Sequence, residues 1–208
     1  MQSDWATENL QVIRTLMERS ALYRRALAPT TLVAGGLGTL GAIGGIKWAT
    51  GSGVQFCVYW LVVAAFTIAA CFLVVRRQAL QAGEPFWSPP MRRVVQAMSP
   101  ALVFGLVLGL AVILSGTDED FVLFLVFVWI GLYGNALHAA GFFMPRGIRF
   151  FGWVVIAGSS VALIGLVLLE PDEAGLQVAN GLMGAAFGLL HLAYGVYLLA
   201  TEKRRPAA

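Results

Sequence analysis

His138 and His191 are the only histidines in this 208-residue chain, and each falls in a glycine-rich apolar phrase, GLYGNALHAAG at 131–141 and GLMGAAFGLLHLAYG at 181–195. Three kinds of chemistry suit such a pair. A neutral imidazole in an apolar interior needs one donor and one acceptor, and Tyr133, Asn135, Ser159, Ser160 and Tyr194 are available nearby or on adjacent segments. Two level imidazoles on different helices would also supply both axial ligands of a haem b, with the flanking glycines, Gly134 and Gly188 among them, leaving room for the flat macrocycle. His138 and His191 are metal ligands only in that haem case, since zinc normally takes four ligands and no carboxylate or cysteine is clearly placed to complete the set. The third possibility is a polar pocket for a lipid, quinone or small solute, with both histidines as donors, Asn135 beside them and Tyr194 as an aromatic wall.

The spacing around the two rings argues that they act at one depth. Eighteen residues separate Asp120 from His138, and the same number separates Glu173 from His191. At about 1.5 Å per residue both rings lie about 27 Å along helices that run in the same direction. The alignment that superposes them also places Gly131 on Gly184, Leu137 on Leu190 and Ala140 on Ala193. Two copies of a hairpin with an acidic outer turn follow, comparable to the parallel repeats of some transporter halves. Gly131, Gly134, His138 and Gly141 recur at steps of three and four, as do Gly181, Gly184, Gly188, His191 and Gly195. Each series marks one helical face, and small residues on such a face let spans pack closely where lipid offers no hydrophobic drive. The first span carries a similar series through Ala34, Gly38, Gly41, Ala42 and Gly45.

The elements that position these residues are membrane helices. Hydrophobic residues make up 59% of the chain and charged ones 12%, with a mean hydropathy of +0.78, far from the composition of soluble domains. A bilayer core about 30 Å thick needs about 20 apolar residues per helix. Six windows meet that length: 31–48, 54–75, 96–115, 121–143, 150–169 and 176–200. They lack the strict alternation of barrel strands, so the fold class is an all-α integral membrane protein, a bundle of six transmembrane helices. Residues 1–28 form a cytoplasmic amphipathic segment, residues 29–203 the membrane domain and residues 204–208 a basic tail.

Charge sets the orientation. With both termini cytoplasmic, thirteen of the fourteen lysines and arginines lie inside and only Lys47 outside, in accord with the positive-inside rule. The outer turns GTDED and LEPDEAG carry six acids. The net charge of +3 is therefore a topological signal, and no nucleic-acid partner is expected. Leu10, Ile13, Met17 and Ala21 share one face of a helix over residues 5–27, which suits an interfacial helix on membrane lipids or a docking surface for a partner protein. Pro85, Pro89 and Pro90 break the inner loop over residues 76–95. Phe86 and Trp87 are expected as interfacial anchors on the inner side, and Trp48, Tyr59 and Trp60 on the outer side. Cys57 and Cys71 lie on one helix about 21 Å apart, too far to pair.

Hydrolysis and phosphoryl transfer find no support: the chain has no P-loop, no H-E-x-x-H, no paired-cysteine zinc motif and no serine with a base and acid beside it. Intramembrane carboxylates, which usually carry the ion in coupled transporters, are absent from the six windows. The sequence thus points to a multi-pass inner-membrane (plasma-membrane) protein of binding or accessory type, with a ligand or cofactor site at His138, His191, Gly134, Gly188, Asn135 and Tyr194. The alternatives are a bis-histidine haem-b electron carrier and a channel or facilitative transporter. Enzymatic activity is not expected.

Overall fold

Six long helices account for most of the residues described by the computed structural model, which are 27–83, 85–116, 119–169 and 175–202. The helices are α1 (Leu27–Trp48), α2 (Gly53–Gln81), α3 (Pro89–Ser115), α4 (Glu119–Ala140), α5 (Arg146–Leu169) and a sixth span in three parts. That span comprises α6 (Leu176–Met183), a π-helical turn over Gly184–Leu189, and α7 (Leu190–Glu202). All six are long and apolar enough to cross a membrane, and there is no strand among the described residues. Leu27 and Ala28 begin α1; the rest of the expected amphipathic segment and the tail 204–208 lie outside the described residues.

Helix ends fall where backbone donors and acceptors find local substitutes. Ser52 opens α2 by accepting the Gln55 N–H at 3.2 Å. Gly116 closes α3 in the left-handed region, φ +66°, a conformation that favours glycine. The loop between α2 and α3 is shorter than the prolines suggested, because Pro89 and Pro90 start α3. In the first helical turn proline has no needed N–H to lose. Pro100 lies inside α3 and leaves the Gln96 carbonyl without its usual amide donor. The Ser99 hydroxyl supplies one at 3.1 Å.

Close backbone approach determines the packing order. Gly35, Gly38 and Gly188 leave no room for a Cβ between α1 and the sixth span, and Gly184 lies on Ala42. Gly41 and Gly44 instead face Val63, Trp60 and Tyr59 of α2. The expected single seam on α1 is therefore two seams, since a helix between two neighbours needs small residues toward both. α4 is the most enclosed span; Val122, Leu125 and Val126 are among its fully buried residues.

Single side-chain hydrogen bonds tie the helices where the interior is otherwise apolar. The Tyr59 hydroxyl donates to Gly41 O (2.7 Å), the Trp129 indole to Gly105 O (2.8 Å) and the Ser159 hydroxyl to Phe127 O (2.8 Å). Asn180, wholly buried, accepts from the Trp60 indole at 2.8 Å and donates to Ala49 O and Leu176 O. Trp60 is thus an interior residue, 3% exposed, and not the interfacial anchor its position suggested: its indole N–H has a buried partner. Trp48 remains exposed.

Candidate functional site

The π-helical turn positions His191. In a π turn the backbone bonds reach five residues back, and the Leu190 N–H donates to Ala185 O. The His191 side chain spans the same interval, with Nδ1 at 2.9 Å from Ala186 O. A carbonyl only accepts, so Nδ1 carries the proton. In the neutral ring Nε2 is left to accept from the Tyr133 hydroxyl of α4 at 2.8 Å. Both nitrogens of this buried ring are thereby satisfied within the protein.

Aromatic side chains complete the surroundings of His191. Phe151 of α5 meets the ring edge-on at 5.1 Å, Tyr133 lies at 5.3 Å and Phe187 at 6.4 Å. The other face of the cluster is Tyr194, stacked on Phe151 at 4.5 Å with an interplanar angle of 5°. Its hydroxyl oxygen is enclosed without a hydrogen-bond partner among the described residues and points onto the glycine surface of Gly147.

His138 has a different setting. Its backbone belongs to the α4–α5 seam, where Gly134 opposes Gly152 and Ile156, Gly152 opposes His138 N, and Gly141 opposes Arg149. The ring leaves this seam toward the outside of the bundle, between Phe142 at 5.4 Å and Trp153 at 5.3 Å, both roughly edge-on. Phe142 is 63% exposed and Trp153 56%. The Arg149 guanidinium lies over Phe142, 5.3 Å from its centroid. His138 Nδ1 is enclosed and has no hydrogen-bond partner among the described residues.

The six residues singled out by spacing therefore divide. His191 and Tyr194 share Phe151 as a neighbour. Gly188 abuts Thr39 of α1, and Gly134 abuts α5, so both glycines serve helix contact and neither opens space beside a ring. Asn135 is exposed and donates to Gly131 O one turn back at 2.9 Å. His138 and His191 share no ring or hydrogen-bond neighbour among the described residues. This arrangement does not fit a haem between them: both His191 nitrogens are engaged, the glycine space is filled, and the α4–α5 seam lies between the rings. Among the described residues, no three His, Cys, Asp or Glu side chains gather as a metal site.

Tyr133 was legible only as a hydrogen-bond candidate, and Phe142, Arg149, Phe151 and Trp153 were not singled out. The triplet Phe151-Gly152-Trp153 carried the signal. A glycine packed against a neighbouring helix turns the aromatics before and after it to either side of the contact. Comparisons with protein-family models, with curated proteins and with solved structures find no match. The fold and site define an all-helical chain with six helices fit to cross a membrane, compatible with a multi-pass membrane protein.

Proposed function

We propose that the chain is a multi-pass inner-membrane protein of binding or accessory type, with both termini cytoplasmic, whose ligand is a membrane-resident amphiphile received at the α4–α5 edge around His138. The observation supporting this reading is the enclosed, unpartnered His138 Nδ1 flanked by exposed Phe142 and Trp153. A buried polar atom without a partner costs about 1–3 kcal/mol, and at membrane depth water is not there to supply one. A ligand hydroxyl or carbonyl would satisfy it once one of the two exposed aromatics that enclose it turns aside, a side-chain rotation of the kind common on binding. His191, with both nitrogens bonded inside the bundle, is a structural tie in this reading.

Photo-reactive lipid analogues with a diazirine in the acyl chain test the proposal on the full chain in native-like membranes. Cross-links are expected on the stretches around His138 and Trp153, and they should fall when His138 is replaced by Leu while the melting temperature of the variant is close to that of the parent. Cross-linking unchanged by His138→Leu, or confined to other helices, would overturn it.

A further inference from the structure

The α4–α5 edge around His138 also has a charge, and the charge selects a ligand class. Arg149 lies in the first turn of α5, with its backbone held against Gly141 and its guanidinium over Phe142. Trp153, one turn along the same helix, meets the His138 ring. Passing from the helix end into the span, a visitor to this edge meets a cation first and an imidazole about 4.5 Å deeper, since Gly152, three residues on, opposes His138. Exposed aromatic faces flank both. The start of a helix adds positive potential at the same place.

That sequence of groups matches an anionic glycerophospholipid. Its phosphate carries the negative charge, its glycerol ester carbonyls lie just below as acceptors, and its acyl chains continue along an apolar surface. We propose that the α4–α5 edge binds such a lipid, with the phosphate on Arg149 and its ester region against the His138 ring, an ester carbonyl accepting from Nδ1 once Phe142 or Trp153 turns aside. A quinone or sterol lacks the anion, and a zwitterionic lipid adds a cation that Arg149 repels. The inference rests on the reading of His138 as the ligand-facing histidine, and adds to it the headgroup charge and the role of Arg149.

The test compares phosphatidylglycerol with phosphatidylcholine, each added to the full chain in neutral detergent, by native mass spectrometry of retained lipid and by thermal melting. Phosphatidylglycerol should be retained preferentially, raise the melting temperature more, and lose its advantage with added salt. Arg149→Gln should reduce the preference about fivefold, with phosphatidylglycerol retention falling and phosphatidylcholine retention held or raised, and Arg149→Lys should restore most of it. Lipid retention that depends on His138 but shows no headgroup preference overturns the phospholipid assignment and leaves the ligand site standing. Retention of both lipids independent of His138 and Arg149 overturns both, as does a concentration-dependent dimer that covers this edge and excludes lipid from it.

Discussion

Phe151 and Trp153 stand two residues apart on α5 and meet different histidines, Phe151 touching His191 at 5.1 Å and Trp153 touching His138 at 5.3 Å. Two residues correspond to about 200° of helical rotation and about 3 Å of rise, so one turn of α5 reaches both rings from opposite flanks. Gly152 lies between them, pressed against the His138 backbone. The two imidazoles meet the same level of the bundle but different media. His191 faces a closed aromatic interior with both nitrogens bonded, whereas His138 faces the bundle surface with Nδ1 unpartnered.

This division sets the outcome of double-mutant cycles. Tyr133→Phe removes the donor to His191 Nε2, and His191→Phe orphans the Tyr133 hydroxyl, so each should destabilise the protein by on the order of 1–2 kcal/mol. The double variant should fall short of the sum by about 0.5 kcal/mol or more, because both changes break one bond. His138→Ala combined with His191→Ala should instead add to within about 0.5 kcal/mol. Unfolding of the purified variants in detergent, followed by tryptophan fluorescence, measures both cycles; strong coupling between the histidines would contradict the separation described.

Asn180 and Asn135 provide a contrast in burial. Asn180 is fully buried and bonded to α2, to the α1–α2 connection and to its own helix. Asn180→Leu leaves the Trp60 indole and the Ala49 carbonyl without that partner, at an expected cost of about 1–3 kcal/mol, a fall in melting temperature of several degrees for a chain of this length. Asn135 is exposed and bonds only one turn back, so Asn135→Leu should change stability by about 0.5 kcal/mol or less. Equal losses in paired thermal melts would mean that the Asn180 network contributes nothing beyond its apolar packing.

The number of spans was readable because charge-free windows of about 20 residues leave little choice in a bilayer. Their ends were less so. Arginines extend α2 past Val75 to Gln81, and Pro89 starts a helix where proline looked like a break. The glycine series on α4 and, from Gly184 onward, on the sixth span did mark packed faces, whereas Gly181 is exposed with nothing within 4 Å; the series did not say which helix each face meets, Gly134 opposing α5 and Gly188 opposing α1. Periodicity along one helix contains no record of its neighbour. The π turn was invisible for a related reason, since the extra residue per turn is favoured by tertiary bonds such as that from Tyr133 to His191. Spacing therefore located the histidines correctly on their helices and left their partners undetermined.

The proposed orientation is argued from the arginines and is open to a direct check. Arg76, Arg77, Arg92, Arg93 and Arg149 lie at the ends of α2, α3 and α5 that alternation places together, with Lys47 at the opposite end. Single cysteines at Gly51 and Gln81, both exposed, in a background of Cys57→Ala and Cys71→Ala, should label oppositely with a membrane-impermeant maleimide. In intact cells Gly51→Cys should react, and Gln81→Cys should react only after permeabilisation. The reverse pattern would invert the proposed topology.

The glycines provide the sharpest separation between tight seams and open faces. A Cβ at Gly188 would lie 2.6 Å from Thr39 Oγ1 and 2.8 Å from Thr39 N, and one at Gly152 would lie 2.6 Å from His138 N. The close neighbours include backbone atoms, so neither site relaxes by a rotamer change alone. Gly188→Val and Gly152→Val should each force α1 or α4 outward and destabilise the bundle by more than about 2 kcal/mol. Gly158 and Gly165, on α5, have nothing within 4 Å of the added atom. Valine there should change stability by about 0.5 kcal/mol or less, since the side chain meets no neighbouring helix. Fluorescence-detected size-exclusion chromatography after a heat step ranks all four variants together. If Gly158→Val proved as damaging as Gly188→Val, an unseen partner would have to cover that face of α5.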